Sequence, residues 1–578
     1  VDDLKEKIIK ATKDGTFFEL IGEEYYQDHK NDKLLPSILS KLHNEGIFDL
    51  VQIFRSLENS QERHDFFSVR QIFGDILPKI NAPVKSVADS VKHLTLEAGI
   101  DGAAYWILGP FQEFCKKDSK RPKQLLDISL TDIDENFDHL SVALISGAQL
   151  NESLYAKKAI DLVTHSNELV RQRATFALGR IQYIDQILAK DAVLTIKQAS
   201  KNNSSDLLLA TSMNALFSLV LQEPSLECHF VEVLEDQKDF FGERYVHTSA
   251  EILFREGGKI TEGVESYLLD ICCHTKPENK DTIDKIDYAL ARLVKSGKFD
   301  TCVSFLEKFF SKSSYEAPVK HFDSFIREIH QHKETYLSSL VTRWLLSKNV
   351  KLGKYCTHLL KGSDEGICLS FDKTYLTNQE KGVYLFLARK ACGWFFVQPK
   401  TAISLIESLL DDAPDEELKD IQHLVFNPLL ISYPGSIYKH LEGLRISKNA
   451  KALRLAEDVL VQFGSYQKAL KAASGIHELR PSEQDRHTYW KHHQRIMDAS
   501  MKQARSKSIF SSLFFGNESV LLYGNKFIHY IHHGDEKNRQ EIPLQELSHS
   551  VEIASMHNLD PHSLENMIRQ FRVEGCHS

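Results

Sequence analysis

Glu168-Leu169-Val170-Arg171-Gln172-Arg173-Ala174-Thr175-Phe176-Ala177-Leu178-Gly179-Arg180-Ile181 is the stretch on which the fold turns. Val170, Ala174, Ala177, Leu178 and Ile181 recur at helical spacing, so the segment predicts a helix with one apolar face. Its alanines are small where a neighbouring helix must come close. Moving 38 residues along, Val170, Arg171, Ala174, Ala177 and Leu178 fall on Leu208, Leu209, Ser212, Ala215 and Leu216. A second step of 38 reaches Val246, His247, Ala250, Leu253 and Phe254. An apolar and small pattern returning at that period predicts helical hairpins that bury their faces by stacking on one another.

Working outward, residues 1–480 keep one texture: amphipathic stretches with apolar positions at i, i+3, i+4 and i+7, separated by short polar breaks. Asn44-Glu45-Gly46, Ser296-Gly297 and Asp411-Asp412-Ala413-Pro414-Asp415 are such breaks. Their Gly, Pro and Asp residues suit helix caps. With 27 Gly and 15 Pro in 578 residues, the chain is poor in turn formers, which argues against an all-β fold.

The run Val170-Arg171-x-x-Ala174-x-x-Ala177-Leu178-Gly179-x-Ile181 is similar to the second helix of a HEAT repeat, and Val69-Arg70-x-x-Phe73-x-x-Ile76-Leu77 matches it more weakly. The pattern agrees best between about residues 150 and 260. The second copy departs from it, with Leu209 in place of the Arg and Ser212 in place of the first Ala. The resemblance implies a mostly α fold, a HEAT-like or armadillo-like solenoid over residues 1–480, whose concave face binds a partner; it implies no chemistry.

The carboxyl-terminal part reads differently. Residues 481–514 form a long basic helix and linker, and residues 515–578 a small α+β module. In that module Ser519–Tyr523 and Lys526–His533 are expected to pair as a β-hairpin about Gly524-Asn525, followed by a loop through Gly534–Asn538. Asp560-Pro561 is expected to open a final helix. The apolar run Gly366–Phe371 reads as either a lone strand or a buried loop.

No phosphate-binding loop, dinucleotide fingerprint, nucleophile elbow or zinc-protease motif occurs in the chain, so no common catalytic scaffold is indicated. No cofactor and no metal are expected. Adjacent Cys272 and Cys273 point about 100° apart on a helix, and His529 and His532 fall on opposite faces of a strand. Nine cysteines without regular spacing suit a reducing, cytoplasmic setting, and no run spans a membrane. A net charge of −9 opposes a chain that coats nucleic acid along its length.

One segment breaks that charge balance. Between Arg486 and Lys507 stand Arg486, Lys491, Arg495, Lys502, Arg505 and Lys507 against the single Asp498, with Tyr489 and Trp490 interleaved. Cations beside stackable rings are the pairing that holds phosphates and bases. Arg486, Trp490, Lys491, Arg495, Lys502 and Arg505 are therefore the candidate binding residues. The competing reading is a surface helix whose Trp490, Ile496 and Met497 form a buried stripe. Within it Arg486-His487-Thr488-Tyr489-Trp490-Lys491-His492 resembles the Arg-x(4–6)-His motif of HEPN ribonucleases. That resemblance implies Arg486 steadying phosphate charge and His492 moving a proton in metal-independent RNA cleavage. The leading expectation is a non-catalytic scaffold or adaptor that binds a protein partner. The alternative is a nucleic-acid-binding or RNA-cleaving component of a microbial conflict system.

Overall fold

The computed structural model describes residues 2–28, 34–59, 65–99, 102–201, 205–312, 321–360, 366–377, 379–446, 449–476, 482–506, 526–533, 536–543 and 552–575. They are mostly helical, and they divide into two compact units, residues 1–328 and 329–578. The sequence reading placed its first boundary at 480 instead. No helix among the described residues is long and apolar enough to cross a membrane.

In the first unit the 38-residue pattern becomes a row of helices. Glu168–Arg180, Asp206–Gln222, Glu243–Glu256 and Lys280–Lys295 pack each against the next, and the intervening Gln186–Ser200 and Glu227–Asp236 pack against one another alongside. Val170, Leu208 and Val246 are all buried, as are Ala174, Ser212 and Ala250. The small residues are needed: a Cβ built on Gly179 would stand 2.5 Å from the Cα of Ala215 on the next helix. Asn167, Asp185, Ser205 and Thr261 cap their helices by accepting backbone N–H bonds, as their residue types predict. Gly46 and Gly297, in two of the predicted breaks, take the left-handed φ of 75° and 82° that ends a helix at glycine.

Hydrogen bonds between repeats keep nearly the same step along the chain. Asn44 Oδ1 accepts from the Asn81 backbone, 37 residues on. Asp206 accepts from the backbone of Arg244 and Tyr245 at separations of 38 and 39, and Asp287 from Ser324 and Phe325 at 37 and 38. In the second unit Gln398 donates to Leu360 O across 38 residues, and Asn449 to Asp411 across 38. A carboxylate on one repeat that caps a helix of the next satisfies N–H groups that would otherwise lack partners. Repeat-like helical packing thus runs well outside the window of 150–260.

The run Gly366–Phe371 is a buried loop in extended form, not a strand in a sheet. The N–H groups of Ile367, Leu369 and Phe371 donate to the hydroxyls of Thr401, Ser404 and Ser408 at 2.8, 3.1 and 2.9 Å, and Asp372 donates to Thr342 Oγ1 at 2.9 Å. Leu369 and Phe371 are buried while Cys368 and Ser370 face out, the alternation of an extended chain.

A freestanding α+β module over 515–578 is not what the structure supports. Strands β1 (Lys526–His533) and β2 (Glu536–Pro543) pair antiparallel, with His533 opposite Glu536 and Lys526 opposite Pro543. Glu536–Asn538, expected in a loop, therefore belong to a strand, while the expected strand Ser519–Tyr523 and the turn Gly524-Asn525 lie outside the described residues. The reason is chemical: the polar Glu536–Gln540 lacks the apolar alternation that marks a strand.

The final helix Pro561–Val573, capped by Asp560 as expected, is built into the second unit. It buries Leu564, Ile568 and Phe571 and packs on the helix Val383–Phe395. The buried Lys390 donates from Nζ to Arg572 O at 2.8 Å and Glu574 O at 2.7 Å, holding the last carbonyls of that helix. Glu552 accepts from the backbone of Gly435 and Ser436 at 2.6 and 2.9 Å, capping the helix Pro434–Leu444.

Candidate functional site

The basic segment forms the helix Glu483–Ser506, begun by Ser482, whose Oγ accepts from the Asp485 N–H at 3.1 Å. Arg486, His487, Trp490, Lys491, Arg495 and Lys502 are all exposed, Trp490 to 64%. Trp490 therefore does not contribute to a buried stripe, which corrects that part of the competing reading. The side chains of Ile496, Met497, His492 and Arg505, and Lys507 as a whole, lie outside the described residues. Arg486 lies 3.8 Å from Glu483, a weak partner in water. Positions six apart on a helix are turned about 120° from each other, so this helix alone does not aim Arg486 and His492 at one phosphate.

A second surface, absent from the sequence reading, lies in the first unit. Phe176, Asn214, Arg244, His247 and Asp281, from four successive repeats, line a cleft of about 650 Å³. The stacking that fixes the repeats also places these residues, because each projects from the solvent side of a helix whose opposite side is core. His247 Nδ1 lies 2.8 Å from Thr282 Oγ1, and its Nε2 lies 3.7 Å from Asp281. Burial, then the charge of Lys285, lowers the His247 pKa below its ordinary value, which favours the neutral ring at pH 7. Lys285 donates to Asp281 at 2.6 Å and holds that carboxyl below its usual range. Glu243 accepts from Lys276 and Asn279 at 3.1 and 3.2 Å.

Two cations are left over: Arg244 and Lys280 are exposed in the lining, and neither side chain has an ion pair among the described residues. Seven residues beyond His247 and Asp281, on the same helix faces, the exposed rings of Phe254 and Tyr288 stand 5.7 Å apart. The cleft thus offers two unpaired cations, the paired acids Glu243 and Asp281, the exposed Glu278, and adjacent rings. His247 is engaged with the Thr282 hydroxyl and lies near a carboxylate already paired with Lys285. One signal for it was present in the sequence: His247 occupies, in the third copy of the repeat, the place of Arg171 in the first.

Comparison with protein-family models gives no match, and comparison with curated proteins gives none. Among solved structures the chain is similar to an engineered protein, at 14% identity over 80% of this chain and 99% of that one, with a TM-score of 0.22. A likeness at that score carries no argument about fold or function.

Proposed function

We propose that the chain is a non-catalytic scaffold or adaptor of HEAT-like repeats, cytoplasmic, that holds a protein partner on the surface formed by residues 168–295. The observation that carries this reading is the cleft, in which unpaired Arg244 and Lys280 lie on successive repeats that also expose Phe254 and Tyr288. Aromatic and arginine side chains of this kind anchor protein interfaces. A photo-crosslinking side chain at position 288, in the full chain and in extract of the native host, should capture one protein. Arg244→Glu with Lys280→Glu should abolish that capture. Capture that persists unchanged in the double variant would refute the assignment.

A second reading has its own support in the exposed cations around Trp490. If that helix binds nucleic acid, replacing Lys491, Arg495, Lys502 and Arg505 by Gln weakens binding and flattens its salt dependence, because fewer counterions are released. If Arg486 and His492 cleave RNA, His492→Ala abolishes cleavage and leaves binding nearly intact. The scaffold reading expects neither activity at physiological salt.

A further inference from the structure

The extended segment over residues 366–371 has a second edge. Along an extended chain successive backbone N–H and C=O groups point to alternate edges, and the N–H groups of Ile367, Leu369 and Phe371 turn to the hydroxyls of Thr401, Ser404 and Ser408. The backbone groups of Cys368, Ser370 and Asp372 therefore turn the other way. Asp372 bears this out, since its N–H donates to Thr342 Oγ1 on the helix Ser338–Leu346. Cys368 and Ser370 are exposed, and no hydrogen bond reaches the backbone of either among the described residues.

Beside these residues lies a cleft of about 550 Å³, lined by Cys368, Leu369 and Ser370 themselves. Ser338, one turn before Thr342 on the same helix, also lines it, so the walls bonded at Asp372 are parted at Ser370. The rest of the lining is polar and carries both signs of charge: Lys333 and Glu334 are exposed, and Glu407 lies 3.0 Å from His440 Nε2. Three hydrogen bonds to the Thr401, Ser404 and Ser408 hydroxyls hold the segment extended before any guest arrives, so little ordering entropy is lost when one binds.

From this geometry we propose that the cleft takes an extended segment of a partner protein, which pairs as a strand with the backbone of Cys368 and Ser370. N–H and C=O groups left open at every second residue are the complement of another extended backbone, and main-chain pairing of this kind supplies affinity without a large apolar contact. Lys333 and Glu334 in the wall match a guest that carries one acidic and one basic side chain. The site lies in the second unit and is independent of the surface formed by residues 168–295.

A displayed library of random peptides, selected on the full chain, supplies the probe, and Ser370→Pro is the discriminating variant. Proline removes the Ser370 N–H from the open edge, has a φ that suits an extended chain, and leaves the bonds to Ser404 and Ser408 in place. A selected peptide, made synthetically, should slow amide exchange at Cys368 and Ser370 and bind Ser370→Pro about tenfold more weakly, with Ser370→Ala unaffected. N-methylation of its alternate amides should abolish binding. Slow exchange retained at the Leu369 and Phe371 amides checks that the proline variant folds, and the exchange result on the unmodified chain stands by itself if it does not. No selected peptide, peptides that all bind Ser370→Pro equally well, or unchanged exchange at Cys368 and Ser370 overturns the proposal. So does self-association of the chain that Ser370→Pro abolishes, which makes the occupant a second copy. None of these results bears on the crosslinking test at position 288, which lies in the other unit.

Discussion

Removing the carboxyl-terminal segment should unfold the second unit rather than release a module. The helix Pro561–Val573 buries Leu564, Ile568 and Phe571, and full burial of three such side chains stabilises by on the order of 5 kcal/mol. Losing it also strips the buried Lys390 of both carbonyl acceptors, which adds about 2–3 kcal/mol for a charged group left unsatisfied. Glu552 would no longer cap the helix Pro434–Leu444, a further cost of about 1 kcal/mol. Against a typical domain stability of about 5–15 kcal/mol, truncation after residue 551 should leave little margin. Urea unfolding followed by far-ultraviolet circular dichroism is the assay. The truncated chain should lose part of its helix at markedly lower urea, and Lys390→Met in the full chain should shift the same transition by about 2 kcal/mol. A truncated chain with an unchanged midpoint would refute the reasoning and restore the idea of an independent module.

Three further outcomes can be measured on the full chain. Gly179→Val should destabilise the first unit by about 1–3 kcal/mol in denaturant titration, because the new side chain meets the backbone of Ala215, which cannot yield as a flexible side chain could. Burial, with Lys92 nearby, holds the His139 pKa down to about 4, below the ordinary value of 6.5. Its stabilising contribution is therefore complete above pH 6.5 and lost as pH falls toward 4, by about 3 kcal/mol in all, and His139→Leu should flatten that part of the pH–stability curve. Thr401→Val removes both bonds between its hydroxyl and the Ile367 backbone, at a cost of about 1–3 kcal/mol, visible as faster amide exchange at Ile367.

The helical repeat was legible where small side chains announced close packing, as at Ala174 and Ala177, and Gly179 completes it. Elsewhere the same step is carried by polar pairs such as Asp287 with the Ser324 and Phe325 amides, which any of several residue types could supply, so no side-chain pattern betrays it. The helix cap at Asp560 was readable because capping depends on one local residue. The strand Glu536–Pro543 was read in part as a loop because it has no apolar alternation. The cleft around His247 and the cleft beside Cys368 draw on residues far apart in sequence. Only the packing of helices brings them together, and the traces in the sequence are His247 at the repeat position of Arg171 and the run Gly366–Phe371.

The extended segment over Thr401, Ser404 and Ser408 behaves as a vernier. Two scales lie side by side: seven helical residues rise about 10.5 Å, while four extended residues span about 13 Å. Three rungs can be matched by short hydroxyls before the scales drift apart. Beyond the match, where the extended form has ended at Lys373 and the helix at Glu407, Lys373 and Asp412 meet through their side chains at 2.7 Å. The segment is consequently length-coded. One inserted residue would turn side chains now facing out toward the helix and face the hydroxyls with the wrong backbone edge, whereas any exchange of Cys368 or Ser370, which face away, leaves the match intact.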